Sequence, residues 1–260
     1  MDLGLNGKIA WVLGGSSGLG RAGAESLAKE GALVAISARR PDVLSAVASE
    51  IEGRCIPVVC DISDAEDLRR AHDEVRNELG EVDILVANSG GPPPGPFTSI
   101  DEATMFGAFE NTTVSAWRLS KAVVPAMKER GSGVLLFITS SSTKEIIPVL
   151  LLSNMMRAAV VGMAKTMSKE LGPHGIRTVC LAPGTYDTPR IEQIENANAA
   201  GSGRSIEEIR AGAVKEIPLG RYGQPREFGD LLAFCASERA SYLTGVTVVA
   251  DGGRLYSVLS

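Results

Sequence analysis

The chain has 260 residues, 44% of them hydrophobic and 22% charged, which excludes a disordered polymer and fits one large globular domain. Its 26 Lys and Arg stand against 31 Asp and Glu, a net charge of −5, and aromatic residues make up only 5%. So mildly acidic and aromatic-poor a surface offers little to a phosphate backbone, to unstacked bases or to an anionic bilayer, so neither nucleic acid nor membrane is an expected partner.

In chain order, short apolar runs alternate with amphipathic stretches. Ile9–Leu13 reads as a strand and Leu19–Glu30 as a helix; Leu33–Ile36 and Asp42–Glu52 repeat the pair, as do Ile56–Val59 and Ala65–Leu79. Then come Ile84–Ala87 with Asp101–Arg130, Val134–Ile138 with Ser153–Leu171, Arg177–Leu181 with Arg226–Ala236, and a last strand, Val246–Ala250. The strands are almost continuously apolar, the pattern of strands covered on both faces. Alternation of this kind predicts an α/β fold: a single doubly wound Rossmann-type domain over residues 1–260, with a seven-stranded parallel sheet and helices on both faces. The start of the chain lacks the basic stretch of a secretory leader, and Ile146–Leu152 is too short to cross a bilayer. Cys55, Cys60, Cys180 and Cys235 form no CxxC pair and only two histidines occur, so no metal site is expected and the location expected is cytoplasmic.

Two segments break the rhythm, each after the carboxyl end of a strand, where open α/β sheets bind ligands. One is the stiff Gly91-Pro92-Pro93-Pro94-Gly95-Pro96; the other is the mixed stretch Thr185–Leu219. Within the second, residues 188–217 read as a substrate-side lid, with the small-residue run Asn196–Gly203 as a mobile connection between helical pieces.

The first strand runs into Gly14-Gly15-Ser16-Ser17-Gly18-Leu19-Gly20. Glycine at 14 permits a tight turn, at 18 lets backbone approach a pyrophosphate, and at 20 allows close helix–strand packing. The helix that follows turns its free N–H groups toward the phosphates. At the end of the second strand, where an NAD-specific protein presents an acid, stands Ser37-Ala38-Arg39-Arg40. Arg39, with Arg40 beside it, is suited to a 2′-phosphate, so NADP is expected in preference to NAD.

The glycine spacing is that of the short-chain dehydrogenase/reductase family, and residues 7–254 resemble it, most nearly its 3-oxoacyl-acyl-carrier-protein reductase-like members. The resemblance implies roles along the chain. Asp61-Ile62 matches the adenine-side aspartate, Asn88-Ser89-Gly90 resembles the motif after the fourth strand, Asn111 matches a helix asparagine, and Ser140 matches the catalytic serine. Pro183-Gly184-Thr185 and Thr188 resemble the turn that meets the nicotinamide, and Thr244-Gly245 and Asp251-Gly252-Gly253 match the last strand. Activity on a carbonyl or alcohol substrate, and a homotetramer, are implied with them. The centre departs from the pattern: where the family has Tyr-x3-Lys, this chain has Ser153-x3-Arg157, and no tyrosine occurs before Tyr186.

A phenol has a pKa near 10 and is readily tuned into an acid, whereas an aliphatic hydroxyl is a far poorer one. Arg157 keeps a positive charge that can hold a ribose hydroxyl but does not release a proton at working pH. Loss of a general acid costs about 10²–10⁴-fold and leaves the gain from positioning the reactants in place. The primary expectation is therefore an NADP(H)-dependent oxidoreductase with an altered proton path through Ser153, Lys144 or Tyr186; Ser153 has the alternative of capping a helix from Asn154. The competing readings are a non-catalytic dinucleotide-binding sensor or assembly protein, and a lyase or epimerase. Apolar residues beyond one sheet-facing stripe (Val114, Trp117, Met155, Met156 and Val160) point to helices pairing between subunits.

Overall fold

A computed structural model describes residues 2–257. Seven strands, β1 (Ile9–Leu13), β2 (Leu33–Ala38), β3 (Cys55–Val59), β4 (Ile84–Ala87), β5 (Gly133–Ile138), β6 (Ile176–Pro183) and β7 (Val246–Ala250), form one sheet in the order 3-2-1-4-5-6-7. Every neighbouring pair is parallel, with Val12 beside both Ile36 and Val86 in register. The order reverses between β1 and β4, which opens a crevice at their carboxyl ends.

The near-continuous apolar runs have their physical cause in two core layers. On one face Val12, Ile36 and Leu136 pack under α1 (Gly18–Lys29), α2 (Pro41–Glu50) and a late helix that carries Phe228 and Leu232. On the other, Trp11, Leu85 and Phe137 pack under α3 (Ala65–Glu78) and helices carrying Leu119, Met127 and Ala164. The edge strand β7 is half-buried throughout, whereas β4 in the middle is fully buried.

The predicted helix Asp101–Arg130 is in fact three pieces. α4 (Glu102–Phe109) passes into a π-turn, Glu110–Val114, and then α5 (Ser115–Arg130). α6 spans Leu151–Leu171, so Ser153 lies inside its first turn, and the capping position belongs to Leu150. The run Asn196–Gly203 also differs from expectation. It completes α7 (Pro189–Ser202), which Thr188 caps and left-handed Gly203 ends, and a short link leads to α8 (Ile206–Lys215). α9 (Pro225–Ala236) crosses α1 closely; a Cβ on Gly229 would stand 2.3 Å from the Ala22 carbonyl oxygen. Of the apolar residues expected to face a partner subunit, Met156 and Val160 are buried within this one, while Trp117 and Met155 are about half exposed.

Candidate active site

The glycine-rich turn is built as its spacing requires. Gly14 and Gly18 sit at φ +64° and +56°, a region that side chains with a Cβ rarely enter. A Cβ on Gly20 would lie 2.3 Å from the Gly14 carbonyl oxygen, and one on Gly14 would lie 2.5 Å from Asn88 Nδ2. The turn, the start of α1 and Asn88 at the end of β4 are thus one tight unit. α1 has no acidic residue in its first turn, and Ser17 at its cap makes no side-chain capping bond. Free N–H groups and an unopposed positive dipole end remain for an anion. Ser16 is half-buried, and Leu19 packs onto the core below.

Thr188 covers this turn from above. Its methyl carbon is 3.6 Å from where a Gly18 Cβ would be, and its side chain accepts the Ile191 N–H. Pro183-Gly184 closes against β7, with Gly184 N–H donating to the Ala250 carbonyl at 2.9 Å. Thr185, the next residue, accepts a long 3.5 Å bond from Arg254. At the adenine side β2 runs two residues further than expected, so Arg39 follows it directly, and both Arg39 and Arg40 are exposed. Asp61 receives the Ser63 hydroxyl and N–H, which, with the nearby Arg39 charge, holds its carboxyl below the usual range. Ile62 packs partly into the core and Gly90 is exposed, with nothing within 4 Å of where a Cβ would stand.

At the reacting end, Ser140 follows β5 by two residues and caps the 3₁₀ turn Ser141–Thr143. Its oxygen accepts the Ser142 N–H at 3.1 Å, which leaves its own O–H to donate. α6 begins against that turn and brings Ser153 and Arg157, one helical turn apart, onto its buried side. Arg157 donates to the Ile138 carbonyl at 2.6 Å and lines a narrow cavity with Asn88, Ser89, Thr112 and Thr139. Burial, and then the positive charge of Arg190, pull its proton affinity down to about 10, still well above neutral pH.

Two residues at this end, Thr112 and Arg190, were not anticipated from sequence. The anticipated Asn111 is exposed, with its amide bonded to the Gly107 carbonyl at 2.9 Å. Thr112, the next residue, faces the cavity, and its buried Oγ1 has no partner. The π-turn rotates the chain by one residue, a shift that α-helical periodicity does not reveal. Arg190, in the first turn of α7, reaches back to the Pro92 carbonyl at 2.8 Å. The structure also removes one replacement acid. Tyr186 is buried edge-on against Phe228, and burial pushes its phenol up to about 12. Lys144 is exposed just beyond the Ser141–Thr143 turn.

A family profile described as Enoyl-(Acyl carrier protein) reductase matches residues 14–254. The chain is 31% identical to the NADPH-dependent reductase BacG of Bacillus subtilis (strain 168), over 96% of this chain and 99% of that one. It is 30% identical to the 3-oxoacyl-[acyl-carrier-protein] reductase FabG of Thermotoga maritima, over 96% and 98%. Among solved structures, L-sorbose reductase from Gluconobacter frateurii, complexed with NADPH and L-sorbose, superposes with a TM-score of 0.94 at 29% identity, covering 99% of this chain and 100% of that one. Fold, glycine turn and these relatives agree: the chain belongs to the short-chain dehydrogenase/reductase family, in its 3-oxoacyl-acyl-carrier-protein reductase-like branch.

Proposed function

We propose that the protein is an NADP(H)-dependent reductase that interconverts a carbonyl and an alcohol, with Ser153-x3-Arg157 in place of Tyr-x3-Lys. The observation that carries this reading is a cradle a Cβ would fill, at Gly14 and Gly20, together with a serine hydroxyl left free to donate, at Ser140. The relative named NADPH-dependent reductase and the neighbour complexed with NADPH support it. When bound, the nicotinamide supplies or accepts the hydride. The glycine turn and the α1 N-terminus hold the phosphates, Asp61 and Ile62 border the adenine, and Asn88, Ser89, Gly90, Pro183, Gly184, Thr185 and Thr188 frame the nicotinamide side. Arg157 holds the ribose hydroxyls and stays protonated throughout.

Ser140 does the polarising. Anchored by the Ser142 N–H, it donates to the substrate oxygen as negative charge grows there. Ser153 is a shorter group than a phenol, so water enters beside it and delivers the proton that a tyrosine would otherwise carry. Asn111, exposed on the π-turn, acts by shaping that turn, while Thr112 faces the cavity. A non-catalytic sensor is the second reading, and the missing tyrosine is what favours it. Loss of reduced-nicotinamide absorbance in the presence of a panel of ketones separates the two: turnover supports the reductase, and tight NADPH binding without turnover supports the sensor.

Cofactor choice has its own test. Arg39 is exposed and directly follows β2, and the Asp61 carboxylate that feels its charge is hydrogen-bonded to Ser63. Arg39→Ala is expected to weaken NADPH by roughly 10–100-fold, the worth of a charge-assisted hydrogen bond, and to leave NADH unchanged. Equal losses for both nucleotides in calorimetry would contradict it.

The assembly we propose is a homotetramer in the cytoplasm. The half-exposed Trp117 and Met155 and the half-buried edge strand β7 support the assembly, because exposed apolar area and open sheet edges are costly in a monomer. The four cysteines are free thiols and three are buried, as a reducing compartment permits. No helix among the described residues is long and apolar enough to cross a membrane. Light scattering at micromolar protein is expected to give the tetramer mass; a monomer mass would refute it.

A further inference from the structure

We propose that Arg190 binds a carboxylate carried by the substrate, so that the substrate is an oxo or hydroxy acid; this rests on the reductase reading above. Arg157 is almost fully buried and Arg190 is half-buried, yet each spends its observed hydrogen bond on a backbone carbonyl, Ile138 and Pro92 respectively. Among the described residues no carboxylate pairs with either guanidinium, and burial lowers the proton affinity of both. A desolvated cation without an anion is costly, and two near each other are costlier.

Placement sharpens the point. Arg190 stands in the first turn of α7, where the helix dipole disfavours a cation, and Glu192 in the same turn does not pair with it. Its guanidinium lies over Gly91, where a Cβ would be 3.1 Å from Nε and from Nη2, and so borders the loop that continues from Asn88 and Ser89. The Arg157 cavity adjoins the same two residues and holds the unpartnered Thr112 hydroxyl. The cofactor's phosphates do not call for this arginine: the glycine turn and the acid-free start of α1 already meet them, and Arg190 points from Thr188 toward Pro92 instead. With Nη2 tied to Pro92, the remaining edge of the fork suits a flat carboxylate, and the cleft is narrow.

Calorimetry on NADP+-saturated protein tests this without turnover, since NADP+ cannot reduce a ketone. The probes are 2-oxobutanoate and 4-oxopentanoate, each against its neutral amide. At least one acid is expected to bind about tenfold or more tightly than its amide, the worth of one charge-assisted hydrogen bond. Arg190→Leu should erase that preference, Arg190→Lys should restore part of it, and NADP+ affinity should hold within about threefold in both, because no bond of the cofactor cradle is touched. Acid and amide binding alike, or neither binding, overturns the proposal. So does an Arg190→Leu protein that loses NADP+ affinity but keeps the acid preference, for then the arginine serves the cofactor phosphates. Failure of the unaltered protein to bind NADP+ brings down the reductase reading as well, whereas normal NADP+ binding with indifference to the carboxylate overturns this inference alone.

Discussion

Gly20→Ala is expected to all but abolish NADPH binding and to destabilise the fold. The added carbon falls 2.3 Å from the Gly14 carbonyl oxygen and 2.9 Å from Asn88 Nδ2. The first of these is backbone of a turn already in the left-handed region, so the helix rather than a side chain has to give. Moving α1 away from the turn withdraws the N–H groups that face the phosphates. Overpacking of this kind costs about 1–3 kcal/mol of stability. Losing two charge-assisted hydrogen bonds adds a fall in affinity of about 100-fold or more. Gly162→Ala is the matched control: it lies within α6 with nothing within 4 Å of the new carbon, so it should gain up to about 1 kcal/mol in urea unfolding. Equal behaviour of the two variants would mean that the glycine turn is not the cofactor cradle.

Ser140→Ala is the second large effect, and it should fall on turnover rather than on cofactor binding. Removing one preorganised donor to a developing oxyanion costs roughly 10²–10³ in kcat. The same hydroxyl oxygen caps the Ser141–Thr143 turn through the Ser142 N–H, so about 1 kcal/mol of stability should go with it. NADPH affinity should stay near that of the unaltered protein, because Ser140 lies beyond the phosphate cradle. A kcat within threefold of the unaltered protein would remove Ser140 from the chemistry.

Much of the fold was legible because both sheet faces are covered. β4, with the sequence Ile-Leu-Val-Ala, is buried at every position, and a run like that reads as a central parallel strand. The glycine turn was legible because its spacing answers a steric need that no other residue meets. Three features escaped. The run Asn196–Gly203 looked too small-sided to pack, yet Thr188, Pro189 and Gly203 are the cap, first-position and terminating signals of one continuous helix. The π-turn presents Thr112, the neighbour of the expected Asn111, to the cavity, and a one-residue insertion inside a helical pattern leaves the apolar periodicity on either side intact. Arg190 and Arg157 are 33 positions apart, so their two charges act on each other only once α6 and α7 are placed against β5 and the Pro92 loop. Arg190 did carry one local sign, a cation beside Thr188-Pro189 at a helix start, where an acid is the favoured choice.

The central claim is that a cleft without the tyrosine still transfers hydride, with Ser140 polarising the substrate and water supplying the proton. It is tested most directly by single-turnover incubation of the protein with deuterium-labelled NADPH and a panel of oxo acids and neutral ketones, read by mass spectrometry of the alcohol products. The account predicts an alcohol carrying one deuterium on carbon, formed in the unaltered protein and reduced about 100-fold or more in Ser140→Ala. Saturating NADPH binding with no labelled alcohol from any member of the panel would contradict it and leave a dinucleotide-binding protein that does no chemistry.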